Sequence, residues 1–298
     1  SRQKVANIIG AKSKEIIFTS GATESNNIAI QGIAYGNKQK GKHVITVKTE
    51  HKAILDICDQ LEKENYDITK LSVKKDGIID IHKFQESIKS NTLLVSVMHA
   101  NNEIGVIQPI KEIGAICKKM GIIFHVDAAQ SVGKIPININ EMNIDLLSIS
   151  GHKLYGPKGV GALYIRNGIQ LQPIMHGGGH EKGIRPGTLA VPNIVGFGKA
   201  CEISQKLMLK DDKKITLLRN KLIQYIQDEI HDSKINGNME KRLSGNLNMY
   251  FANVSNEAII AAMPKIAISS GAACTSSTMA ASHVLLAIGL SKDEAFSS

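Results

Sequence analysis

No tryptophan occurs in the chain and only 4% of its residues are aromatic, so stacking platforms for single-stranded nucleic acid are scarce. No apolar run approaches the roughly 18 residues that a membrane-crossing helix needs. The N-terminus also lacks the basic segment and hydrophobic stretch of a secretory signal. Cysteine is sparse. Cys58, Cys117, Cys201 and Cys274 form no CxxC pair, which argues against a structural zinc site or a disulfide framework and fits a reducing compartment. Neither GxxxxGK[ST] nor GxGxxG is present, excluding the P-loop and the dinucleotide fingerprint. There is no internal repeat and no low-complexity tract.

Basic residues are in excess, with a formal net charge of +9. They are dispersed: Lys38, Lys40 and Lys42 form one group, Lys118 and Lys119 another, Lys213 and Lys214 a third. That spacing reads as solvated faces rather than as a groove for a polyanion. His176 and His180 are four apart, but Gly177, Gly178 and Gly179 lie between them and Glu181 falls outside any HExxH pattern. A helix presenting both imidazoles to zinc is therefore a poor reading, and no metal site is expected.

The 298 residues are 43% hydrophobic and 21% charged, an ordinary globular balance, and suffice for one sizeable core and a smaller second one. Short apolar runs predict strands at 15–19, 43–47, 68–73, 93–98, 122–126, 146–149 and 161–165. Amphipathic stretches predict helices at 24–34, 53–64, 81–88 and 110–120. This alternation predicts a largely parallel sheet covered on both faces. The last strand follows too closely for a crossover helix, so pattern alone leaves its direction open. Residues 167–195, with Gly177–Gly179 and Gly183, read as a long functional or interface loop. A helical pattern then runs over 196–230, and segments 244–249, 256–263, 266–269 and 280–287 suggest a small α+β unit. The boundary is expected near Lys206.

Three places carry chemistry. The segment Thr19-Ser20-Gly21-Ala22-Thr23-Glu24 joins a strand to a helix, where backbone N–H groups and the Thr23 hydroxyl suit a phosphate, although an ordinary N-cap explains it equally well. Asp127 and the run Ser148-Ile149-Ser150-Gly151-His152-Lys153 end predicted strands, at the edge where such sheets bind ligands. A lysine there, beside a hydroxyl and an imidazole, suits covalent imine formation with a carbonyl, a solvated cap lysine being the alternative. Cys274 sits among small and hydroxyl-bearing residues, Ser269 to Ser277, as a candidate nucleophile or as a cysteine merely tolerated in a loop. The other three cysteines read as small buried hydrophobes.

These segments, in order, resemble the cysteine desulfurases of the NifS/IscS type, over essentially the whole chain. The most specific are SGATESNN (20–27), TEHKA (49–53), NNEIGVIQP (101–109), HVDAAQSVGK (125–134), SGHKLYGPKGVGALY (150–164), GGGHEKGIRPGT (177–188) and SSGAACTSS (269–277). The resemblance implies an α/β chain of pyridoxal-phosphate fold type I, aspartate-aminotransferase-like. A mostly parallel seven-stranded sheet flanked by helices is expected within 1–205, and a small α+β C-terminal domain carrying the cysteine loop within 206–298. It implies pyridoxal 5'-phosphate as cofactor, held covalently by Lys153, with Asp127 on the ring nitrogen and His51 stacked on the ring. Asn102 and Gln130 would lie near substrate and the phenolic oxygen. Ala22, Thr23, Ser150 and His152 would hold the phosphate, and Thr188 the phosphate of a neighbouring subunit in a homodimer.

The implied reaction converts L-cysteine to alanine, with Lys153 as the base and Cys274 receiving the sulfur as a persulfide. An iron–sulfur scaffold protein, transiently contacted by Cys274, or a tRNA-thiolating acceptor would take it onward. Cytoplasm, or the mitochondrial matrix in a eukaryote, is the expected compartment. Pro186 stands where the family's RSGT signature has serine, and Met279-Ala280-Ala281-Ser282 departs from the usual residues behind the cysteine loop. Relative to the family pattern, the extreme N-terminal segment and the stretch bearing the arginine that clamps the substrate carboxylate lie outside these 298 residues. The sequence alone is therefore expected to be a poor enzyme. A selenocysteine lyase, an aminotransferase of the same fold and an inactive remnant are the alternatives.

Overall fold

A computed structural model describes residues 1–270 and 280–298. Seven strands form the main sheet: β1 (Ile16–Thr19), β2 (His43–Val47), β3 (Asp67–Leu71), β4 (Thr92–Met98), β5 (Ile123–Asp127), β6 (Leu146–Ser150) and β7 (Gly161–Ile165). Their spatial order is β1-β7-β6-β5-β4-β2-β3, and β7 alone runs antiparallel to its neighbours. The mostly parallel sheet expected from alternation is present, and the direction of β7, left open by pattern, is settled. A short connection through a single 3₁₀ turn, Gly151–Leu154, returns the chain from β6 to β7.

Alternation within the strands feeds two cores. Ile16, Phe18, Ile45, Val95, Val97, Phe124, Val126, Leu147 and Ile149 face one layer. That layer contains α1 (Arg2–Ile9), α5 (Ile110–Met120) and the start of α6 (Val191–Glu229), contributing Val5, Ile9, Ile113, Cys117, Phe197 and Cys201. Ile17, Val44, Leu94, Leu146 and Leu163 face the other layer, built by α2 (Ala22–Gly36) and α3 (Lys52–Lys63) through Ile28, Ile33, Ile54, Cys58 and Leu61. Burial of both faces explains why these strands read as nearly continuous apolar runs. It also confirms Cys58, Cys117 and Cys201 as buried thiols, each pushed up to about 12 by desolvation.

On the α2 face the apolar pattern breaks toward the C-terminal ends of the central strands. His125 is buried there between two hydroxyls, Nδ1 with Ser96 Oγ at 2.9 Å and Nε2 with Ser148 Oγ at 3.0 Å. Asp127 and Ser150 follow two residues further on the same face.

Helix α4 (Ile81–Glu86) precedes β4. Beyond the sheet, α6 runs unbroken through residue 206, where the domain boundary was expected, and leads to a two-stranded ribbon of β8 (Ser233–Ile235) and β9 (Met249–Phe251). Then come α7 (Asn256–Ala262), α8 (His283–Ala287) and α9 (Lys292–Phe296). Segment 266–269 is irregular rather than extended in a sheet. Val284, Leu285, Ile288 and Ala295 pack with Ile104 and Val106 in a third, smaller core. No helix among the described residues is long and apolar enough to cross a membrane.

Candidate active site

A cavity of about 460 Å³ opens at the C-terminal edge of the sheet. Ala22, Thr23, His51, Asn102, Asp127, Gln130, Ser150, His152 and Lys153 all line it, so positions from 22 to 153 of the sequence meet in one place. Topology brings them there. β5 and β6 are adjacent and parallel, so Asp127 and Ser150 emerge from the same edge. The turn after β6 then carries His152 and Lys153 over the cavity.

The loop between β1 and α2 forms one wall. Gly21 adopts φ 157 and ψ −177, a region open essentially to glycine. A Cβ on Gly161 of β7 would lie 2.6 Å from the Gly21 Cα, so Gly161 is needed for this close approach, as Gly21 is for its backbone angles. No side chain caps α2. Its first N–H groups, at Ala22 and Thr23, are left for an anionic ligand, and the helix dipole favours one.

Asp127 forms the floor. Its Oδ1 accepts the Ala129 N–H at 2.9 Å and its Oδ2 accepts Asn26 Nδ2–H at 2.8 Å. Burial raises its pKa above the usual carboxylate value, while these two hydrogen bonds and the nearby His51 oppose the rise. A cationic nitrogen facing Asp127 would supply the compensation that burial removes. Asn26 was not singled out from the sequence; the signal was its place one turn after Ala22 on α2, which puts both on the cavity face. Its Oδ1 is buried with no partner among the described residues.

His51 caps α3, accepting the Ala53 N–H on Nδ1 at 3.1 Å, which places the neutral ring's proton on Nε2. Gln130 Oε1 accepts Lys134 Nζ–H at 3.1 Å, leaving the amide nitrogen as the donor on offer to a ligand oxygen. Burial and the Lys153 charge together lower the Lys134 pKa. Ser150 Oγ lies 3.1 Å from His152 Nδ1. Desolvation, then the charges of Lys153 and Lys158, lower the His152 pKa, keeping this imidazole neutral and able to donate one hydrogen bond.

Two predicted positions are not in this group. Thr188 is exposed and outside the cavity lining, shortly after a 3₁₀ turn at His180–Gly183. That turn is tied down by Glu181, which pairs with Arg2 at 2.6 Å and accepts the Phe18 N–H at 2.7 Å. Arg185 pairs with Glu24 at 2.8 Å at the cavity rim. Cys274 lies outside the described residues.

The chain matches the family Aminotransferase class-V over residues 1–291. The chain belongs to the class-V aminotransferases. Within that family it is similar to the cysteine desulfurases IscS of Mannheimia succiniciproducens and Actinobacillus succinogenes. It is 52% and 54% identical to them over its whole length and covers 74% of each. Among solved structures, a NifS-like protein from Rickettsia africae superposes with a TM-score of 0.88 at 32% identity, covering 99% of this chain and 79% of that one. A second, titled SspA in complex with cysteine, gives 0.85 at 40% identity, covering 99% and 83%. The class-V chain is of the IscS/NifS type, and its cofactor is pyridoxal phosphate. The cavity fits that group. Its uncapped helix N-terminus suits the phosphate, its buried carboxylate suits the ring nitrogen, and Lys153 supplies the amine.

Proposed function

We propose that the chain is a cysteine desulfurase, converting L-cysteine to alanine and holding the released sulfur as a persulfide on Cys274. The observation that carries this reading is the meeting of Lys153, Asp127 and the uncapped start of α2 in one cavity of a chain more than 50% identical to desulfurases over its full length. When bound, pyridoxal phosphate supplies an electron-withdrawing ring that stabilises negative charge at the substrate's α-carbon.

The protein's own residues do the rest. Ala22 and Thr23 N–H groups, with the Thr23 and Ser150 hydroxyls and His152, would hold the phosphate. Asp127, fixed by Ala129 and Asn26, would place an anion beside the ring nitrogen and favour its protonated form. Gln130 would donate to the phenolic oxygen, His51 would cover the ring face, and Asn102 would border the substrate. Lys153 would hold the cofactor covalently, and its amine, when free, would serve as the base for the substrate's α-proton. The Cys274 thiolate then attacks the substrate sulfur. The new S–S bond forms as the carbon–sulfur bond breaks, and the electron pair stays with the three-carbon fragment, which is protonated and leaves as alanine.

Thr188, exposed on its loop, would reach the phosphate of a second copy in a homodimer. The persulfide would pass to an acceptor such as an iron–sulfur scaffold protein, and the buried free thiols suit a reducing setting such as the cytoplasm. The test is to supply the cofactor-loaded protein with L-cysteine and quantify alanine, sulfide released by thiol and any keto acid. Equal alanine and thiol-releasable sulfur is expected. Keto acid formation instead would make the protein an aminotransferase, and turnover restricted to selenocysteine would make it a lyase.

A further inference from the structure

A carboxylate stands in the anion site. Ser20, Gly21, Ala22, Thr23 and Glu24 line the cavity together, so Glu24 lies at the end assigned to the cofactor phosphate. It belongs to the first turn of α2, where an acidic side chain stabilises a helix through its dipole. The same charge would repel a phosphate held by the free N–H groups of that turn.

Two contacts hold this carboxylate. Its Oε2 accepts the Ser20 N–H, and its Oε1 accepts Arg185 Nε–H at 2.8 Å. Burial would raise the Glu24 pKa, but the hydrogen bonds from Arg185 and Ser20, with the Arg185 charge, outweigh it and leave the carboxyl below its usual value. The Arg185 and Glu24 side chains are only 23% and 16% exposed, so salt and water screen this pair less than one on the open surface. Lys153 and Lys158 also line the cavity, but among the described residues Arg185 alone pairs with Glu24.

Arg185 is placed by its own loop. Pro186 restricts the backbone of the residue before it. Four positions earlier, Glu181 grips the Phe18 N–H of β1 and the Arg2 guanidinium. The loop therefore brackets the turn between β1 and α2, with Glu181 on its strand side and Arg185 on its helix side.

We propose that Arg185 is a positioning residue for the cofactor phosphate, fixing Glu24 and offsetting its charge so that the start of α2 accepts a dianion. This rests on the placement of the phosphate at that helix start. Arg185 does not itself line the cavity, so it acts through Glu24.

The experiment titrates the full chain, freed of cofactor, with two probes, pyridoxal phosphate and pyridoxal, followed by absorbance. Both carry the aldehyde that Lys153 captures, and only the first carries a phosphate. The variants are Arg185→Ala, Glu24→Gln, the two combined, and Thr23→Val as a check on where the phosphate sits. Arg185→Ala should weaken pyridoxal phosphate about tenfold, as expected for an uncompensated charge near an anion, and leave pyridoxal within about twofold of wild type. Glu24→Gln keeps an oxygen for the Ser20 N–H and should bind pyridoxal phosphate at least as tightly as wild type. The combined variant should return to the wild-type affinity, because no carboxylate is left to offset. Thr23→Val should lower the preference for pyridoxal phosphate over pyridoxal. A combined variant as weak as Arg185→Ala would overturn the inference, since Arg185 would then act by direct contact or by tying down its loop. Equal weakening of both probes by Arg185→Ala would overturn it as a folding effect. An unchanged preference in Thr23→Val would remove the phosphate placement on which it rests, while the desulfurase reading, tested by alanine and thiol-releasable sulfur, would stand.

Discussion

Asp127 could be read from the sequence as a strand-end carboxylate, but the residue that orients it could not. Asn26 lies 101 positions away, and only the packing of α2 on the sheet brings its amide to Asp127 Oδ2. Loss of a hydrogen bond to a buried charged group costs about 1.5–3 kcal/mol. Asn26→Ala should therefore lower kcat/KM by roughly 10- to 100-fold, and Asp127→Asn by more, since it also removes the charge that keeps the ring nitrogen protonated. Steady-state rates and the pH titration of cofactor absorbance check both. An unchanged titration in Asp127→Asn would contradict its pairing with the ring nitrogen. Glu50 was equally hidden. It sits inside the motif 49–53, yet its carboxyl is fully buried, with Oε1 accepting the Met98 N–H at 2.7 Å and Oε2 without a partner among the described residues. Desolvation, with the nearby Asp127 adding to it, raises its pKa well above the usual value. The native chain thus keeps a proton that the unfolded chain releases, so Glu50 costs stability progressively as pH rises above the ordinary carboxylate range. Glu50→Gln should remove that slope: denaturant unfolding of the variant and wild type should agree near pH 4 and diverge in the variant's favour by pH 8.

At the scale of elements, strands were legible because all but the edge strand β3 bury alternate residues in two separate cores, and their apolar runs end at turn residues. The predicted ranges 43–47, 161–165 and 110–120 coincide with β2, β7 and α5. Helix α1 went unread: Arg2–Ile9 is short and has no capping side chain at its start, and it is held by its packing against α6 and stopped by Gly10 in the left-handed conformation. The antiparallel turn of β7 was undecidable for a related reason, since direction depends on what β1 and β6 accept at their edges and not on the strand's own pattern. Between them, the strands carry a polar crosslink that the sequence shows only as isolated Ser96, His125 and Ser148. Desolvation lowers the His125 pKa from 6.5 to about 3. The unfolded chain binds this proton first, so stability is lost as pH falls below about 6.5 and continues to fall toward the native value. His125→Gln should flatten that acid limb, as measured by urea midpoints between pH 7 and 4, and a limb identical to wild type would show that other groups govern it.

For the molecule as a whole, short motifs in register carried both fold and chemistry, because the residues that line the cavity come from the ends of separate strands, and the motifs at 20–27, 49–53, 101–109, 125–134 and 150–164 each lie at or just beyond one such end. Nine of the predicted site residues line a single cavity. Thr188 does not, and a motif cannot say by itself whether its residue serves its own subunit or another. The central claim concerns the one predicted residue outside the described structure, Cys274, and its dependence on a cavity whose geometry is otherwise on view. The measurement that tests it most directly mixes the cofactor-loaded enzyme with sulfur-labelled cysteine and maps the label by peptide mass spectrometry, alongside alanine, in wild type and Cys274→Ser. Serine fits a small-residue loop, but its hydroxyl is a far weaker nucleophile than a thiolate and cannot store sulfur as a persulfide. The account predicts label on Cys274 in wild type, and in Cys274→Ser an unaltered response of cofactor absorbance to cysteine with almost no alanine and no protein-bound label. Label on Cys58, Cys117 or Cys201 together with normal alanine release by Cys274→Ser would contradict it.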